Sequence, residues 1–111
     1  MILNYNYSGY AAGISKEQIE NDYLESFRAV MSGEVNGAED NFLDVVDKHG
    51  TQSFGNIVYF RENGRINGVF CYGDDDAGED FVVDFDYPEE QITSFRTLLD
   101  LVSVKADEEQ E

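Results

Sequence analysis

Hydrophobic and polar positions divide this chain into segments of two different periods. Residues 2–7 alternate, with Leu3, Tyr5 and Tyr7 on one side and Ile2, Asn4 and Asn6 on the other, which predicts a short strand suited to a sheet edge. Ser15 followed by Gln18 has the spacing of a capping box. From there Ile19, Tyr23, Phe27, Val30 and Met31 line one face of a helix that Ser32-Gly33 ends. A second helix is expected over Ala38 to His49. Phe42, Leu43, Val45 and Val46 form its stripe, Glu39 and Asp40 suit its N-terminal end, and Lys48 and His49 suit the opposite pole ahead of Gly50. At Asn56 the period changes to two. Ile57–Glu62, Asn63-Gly64 and Arg65–Tyr72 read as a hairpin with a two-residue turn, pairing Glu62 with Arg65, Val58 with Val69 and Ile57 with Phe70. In a further strand, Phe81, Val83, Phe85 and Tyr87 share one face, and Val82, Asp84 and Asp86 share the other. Pro88 is then expected at the first position of a final helix, with Ile92, Phe95, Leu98, Leu99 and Val102 as its stripe.

The order strand, helix, helix, three-stranded meander, helix predicts an α+β domain. Its mainly antiparallel sheet joins the N-terminal strand to the meander, and its helices, two before the meander and one after it, cover one face. A single domain over residues 1–104 is expected, followed by a solvated acidic tail over 105–111.

Composition adds a strong bias to this frame. Among 111 residues, 24 Asp and Glu stand against 7 Lys and Arg, a formal charge of −17. Direct binding of nucleic acid needs a basic footprint, and docking on an anionic membrane needs one too, so neither partner is expected. With 41% hydrophobic and 14% aromatic residues the chain still has the apolar surface to fold. No basic leader, long apolar run or cysteine pair is present, which predicts a cytoplasmic protein.

Candidate catalytic chemistry is sparse. His49 reads as a partner of its helix dipole, and Cys71 as a small core filler. No phosphate-binding loop is present, and neither a cofactor, a catalytic residue nor a dedicated metal site is assigned. Asp74, Asp76 and Asp80 match three positions of a calcium loop. Gly78 and Phe85 then fall where that loop needs other residues, so a small calcium-binding domain is only the third reading.

The charge is concentrated. Residues 1–73 carry ten acids and five bases, a net of −5, whereas residues 74–111 carry fourteen acids and two bases, a net of −12. Nine acids and no base lie between Asp74 and Glu90. Asp84 and Asp86 would project from a regular strand beside Asp74, Asp75, Asp76, Glu79 and Asp80, with Tyr72 and Tyr87 as bordering anchors and the tyrosines at 5, 7 and 10 possible neighbours. Such a patch attracts a basic protein and accelerates its association, most strongly at low salt.

In size, acidity and α+β character the whole chain resembles the immunity proteins of bacterial toxin–immunity pairs, including those of contact-dependent growth inhibition. Residues 68–85, GVFCYGDDDAGEDFVVDF, also resemble the strand–acidic loop–strand core of the SUKH immunity superfamily. The resemblance implies a non-enzymatic protein that binds and neutralises a toxin domain, a basic nuclease, and it assigns no residue a role. The alternative is a phage-type DNA mimic that inhibits a restriction, CRISPR or other DNA-binding protein, which requires long rows of carboxylates spaced like phosphates.

Overall fold

A computed structural model describes residues 1–7, 13–74 and 79–109; at positions 40, 74, 79 and 80 it describes the backbone. Five strands form one antiparallel sheet in the order β1-β2-β3-β4-β5, each paired with its neighbour in sequence. They are β1 (Ile2–Tyr5), β2 (Gly37–Val46), β3 (Gln52–Glu62), β4 (Arg65–Asp74) and β5 (Glu79–Pro88). Two helices, α1 (Lys16–Ser32) and α2 (Phe95–Glu109), pack on one face, and a 3-10 turn at Glu89–Gln91 precedes α2.

Local signals account for much of this. The Ser15 hydroxyl accepts from the Gln18 backbone N–H, and the Gln18 side chain accepts in return from that of Ser15. Two donors at the start of α1 are thereby satisfied. Gly33 closes the helix in the left-handed region at φ 85°, where a side chain is strained. The hairpin has the expected register, with Glu62 opposite Arg65, Val58 opposite Val69 and Ile57 opposite Phe70. At its turn Asn63 and Gly64 both take positive φ, as a turn matched to strand twist requires.

The expected second helix is overturned. Residues 37–46 form β2, so a single helix precedes the meander. The apolar run 42–46 fits either period, because Leu43 and Val45 alternate with Phe42, Asp44 and Val46. Pairing decides it: as a strand, β2 hydrogen-bonds to β1 on one side and β3 on the other, and without it β1 would have no neighbour. A register shift between Ala38 and Asn41 takes up Glu39 and Asp40, the acids that resemble a helix start. His49 therefore has no helix end to cap. It lies in the β2–β3 turn, where the Asp47 carboxylate accepts from the backbone N–H groups of His49 and Thr51.

The final helix is displaced in both directions. Pro88 ends β5, and α2 begins seven residues later at Phe95, with the Ser94 hydroxyl accepting from the Thr97 N–H. Where a tail is expected from Lys105, α2 continues to Glu109, because Ala106 is fully buried and extends the apolar stripe by one turn. Ile92, Phe95, Leu98, Leu99 and Val102 are buried as expected.

The core lies between helices and sheet. Phe95 is its centre, with ring centroids of Tyr5, Tyr23, Phe27 and Tyr59 at 5.8–6.2 Å. α2 also ties down both edge strands. Arg96 donates to the Leu3 carbonyl of β1 and Lys105 to the Asp84 carbonyl of β5.

Candidate functional site

Because both helices pack on the same side, no element among the described residues forms a second layer on the opposite side of the sheet. The register shows what it carries. Asn4, Asp44, Phe54 and Gly73 form one row across the strands, and Phe42, Asn56, Cys71 and Val82 form the next. Val58, Val69 and Asp84 follow, then Phe60, Asn67 and Asp86. This face is apolar at its centre. Ile2 is 64% exposed, Phe42 40%, Phe54 51% and Val82 60%. The Phe42 and Phe54 rings stack with centroids 5.3 Å apart. Phe54 stands as a ridge between two shallow hollows. One, of 520 Å³, runs over Ile2, Asn4, Asp44 and Gln52, and the other, of 460 Å³, over Asn56, Cys71, Gly73 and Val82.

Carboxylates flank this centre. Asp84 and Asp86 project on the bare face from edge strand β5, as the alternation predicts, and both are exposed. Asp86 pairs with Arg65 at 2.8 Å, an ion pair with both side chains near half exposure and therefore of small worth. On the other flank Asp44 accepts at 2.7 Å from the amide of the buried Asn6, which fixes its carboxylate in place. Asp74 pairs with Glu79, and Gly73 with Asp80, at the last described positions of the β4–β5 ladder. Asp75 and Asp76 lie outside the described residues.

The two tyrosines expected as anchors face the other way. Tyr72 is buried on the helix side, its ring stacked between Phe70 and Phe81. Tyr87 is half-buried on that same side, and its hydroxyl donates to the Leu101 carbonyl of α2. Period two separates them from Asp84 and Asp86 by the thickness of the sheet. Burial raises both hydroxyls above their usual range, and acids of α2 add to the effect, Asp107 and Glu109 at Tyr72 and Glu108 and Glu109 at Tyr87. Tyr5 and Tyr7 belong to the β1 end of the sheet, where Tyr5 packs on Tyr23 and Tyr7 donates to Glu20; position 10 lies outside the described residues.

Cys71 is exposed on the bare face, not a core filler, because its strand position pairs with Asn56 and Val82 on that side. It lies mid-strand, whereas His49 occupies the β2–β3 turn, so the two do not assemble as a catalytic pair. Sequence reasoning missed Phe42 and Phe54. Phe42 looks like a helix-stripe residue, and Phe54 precedes the point where alternation becomes clear.

Among the described residues no group of three or more His, Cys, Asp or Glu side chains gathers to hold a metal ion. No described helix is long and apolar enough to cross a membrane. No family model, curated protein or solved structure matches this chain.

Proposed function

We propose that the chain is a non-enzymatic inhibitor. On this reading it is a cytoplasmic immunity protein that binds a cognate bacterial toxin domain, a basic nuclease, and covers it with its acidic sheet face. The observation that carries the reading is the bare face itself, where an edge strand sets Asp84 and Asp86 in a fixed row beside an uncovered apolar centre. A nuclease presents cations where phosphates bind, and carboxylates held on a rigid strand can take the place of those phosphates. The net charge of −17 draws such a partner from a distance. A DNA mimic needs extended acidic rows. Here the row on β5 is short, begins beside Val82 and pairs across β4 with Val69 and Asn67, an arrangement suited to a protein surface.

The test is genetic and then biochemical. Expression of the C-terminal domain of a secreted protein encoded beside this chain is expected to arrest growth, and co-expression of this chain to restore it. The folded double variant Asp84→Lys/Asp86→Lys is expected to restore growth poorly, and wild-type affinity to fall as salt rises from 50 to 300 mM. Full protection by the reversed variant, or no protection by the wild type, sinks the proposal.

A further inference from the structure

We infer that the partner docks across the bare sheet face on an apolar anchor, the Phe42–Phe54 stack, with Asp44 and Asp84 as charged flanks, and that its matching surface is cationic with an apolar side chain at its middle. The inference rests on the reading above and specifies the chemistry of the same site. Carboxylates on β5 alone would make a contact that salt dissolves. Beside them lie the stacked Phe42 and Phe54, with Ile2 toward one edge of the sheet and Val82 toward the other, exposed apolar side chains that are costly in water and mark an interaction surface.

Geometry and charge narrow the occupant. The hollows on either side of the Phe54 ridge can each receive a side chain, and the ridge itself presents a rigid ring, the kind of group that anchors interfaces. From β2 to β5 is three strand spacings, and Asp84 lies four residues along β5 from Asp80, the position in line with Asp44. Asp44 and Asp84 therefore stand roughly 20 Å apart on either side of the Phe42–Phe54 stack, a distance that two cations on one protein surface can span. Five strands, the longest of 11 residues, make a face of roughly 600 to 700 Å², close to one side of a standard protein–protein interface. A second copy of this chain would bring another −17 of charge and the same carboxylates against this face, so self-association there is opposed. A cationic protein surface fits both its apolar centre and its acidic flanks.

Nuclear magnetic resonance can test this with two probes of equal charge: an amphipathic peptide of leucine and lysine at helical spacing, and oligolysine. The leucine–lysine peptide is expected to shift resonances of Ile2, Phe42, Phe54, Cys71 and Val82 together with Asp84. At 0.3 M salt it should bind at least tenfold more tightly than oligolysine. Phe42→Ser/Phe54→Ser, on exposed positions, should keep the native circular dichroism, lose that tenfold advantage and retain oligolysine binding at low salt. Equal binding of both probes by the wild type, an unchanged advantage in the serine variant, or shifts confined to α1 and α2 overturn the apolar anchor and leave the acidic reading standing. Failure of oligolysine to bind at 20 mM salt removes the acidic reading as well. Sedimentation is expected to show a monomer, and a dimer abolished by the serine substitutions would assign the face to a second copy and overturn the inference.

Discussion

Phe95 joins the two layers, and replacing it with alanine tests whether the core is organised around that ring. Its side chain is fully buried and lies against four other aromatic rings, Tyr5, Tyr23, Phe27 and Tyr59. Those neighbours come from β1, α1 and β3, so a cavity here cannot close by the shift of one element. Truncation of a buried phenylalanine removes transfer free energy and leaves a void, together about 4 kcal/mol. Against a total stability of about 5–15 kcal/mol this is a large fraction. At about 2.1 cal/mol/K per residue the unfolding entropy of 111 residues is ~0.23 kcal/mol/K, so Tm should fall by roughly 17 °C. Phe95→Leu keeps most of the volume and should cost about 1.5 kcal/mol. The chain has no tryptophan, so urea unfolding is best followed by far-ultraviolet circular dichroism and tyrosine fluorescence. A loss below about 1.5 kcal/mol for alanine, or equal losses for alanine and leucine, would falsify the hub assignment.

Three further outcomes follow from the same geometry. Leu43→Asp should unfold the domain or cost over about 4 kcal/mol, whereas Phe42→Asp at the adjacent exposed position should cost under about 1 kcal/mol; equal losses would restore a helix with both residues on its stripe. Ala106→Asp buries an unpaired charge in the last turn of α2 and should cost about 3 kcal/mol or more by urea unfolding, while a change within about 0.5 kcal/mol would mean that this turn does not pack. Absorbance at 295 nm should show tyrosines ionising later in the native protein than in urea. The Tyr7 hydroxyl is pushed up to about 12, chiefly by its hydrogen bond to Glu20, and burial raises Tyr5, Tyr59, Tyr72 and Tyr87. Because the fold favours the protonated form, the stability these groups add is intact below the ordinary value of 10 and is lost as pH rises, through about 12 at Tyr7. Superimposable native and denatured titrations would contradict these environments.

The sequence by itself determined the elements whose signals are local. The capping box at Ser15 and Gln18, the left-handed Gly33, the Asn63-Gly64 turn and the alternation of β5 each act within a few residues, and each stands where those residues place it. The stripe of α2 was readable for the same reason, since its apolar residues need only a shared face. Only the tertiary structure decided the rest. The run from Phe42 to Val46 satisfies either period, and β2 is a strand because β1 and β3, distant in sequence, supply its hydrogen bonds. Ala106 is a single methyl among charges, and whether its turn stays helical depends on a sheet that it meets only in the fold.

The site shows the same division. That Asp84 and Asp86 share a face is a property of one strand. That Tyr72 and Tyr87 do not share it also follows from period two, given the register between β4 and β5. Which face would remain uncovered was not readable at all. β3 is apolar on both sides, with Ile57 and Tyr59 toward the helices and Phe54, Val58 and Phe60 away from them. A strand of that kind looks buried on both faces. Only the packing of α1 and α2 on the same side leaves Phe54 half exposed between two hollows.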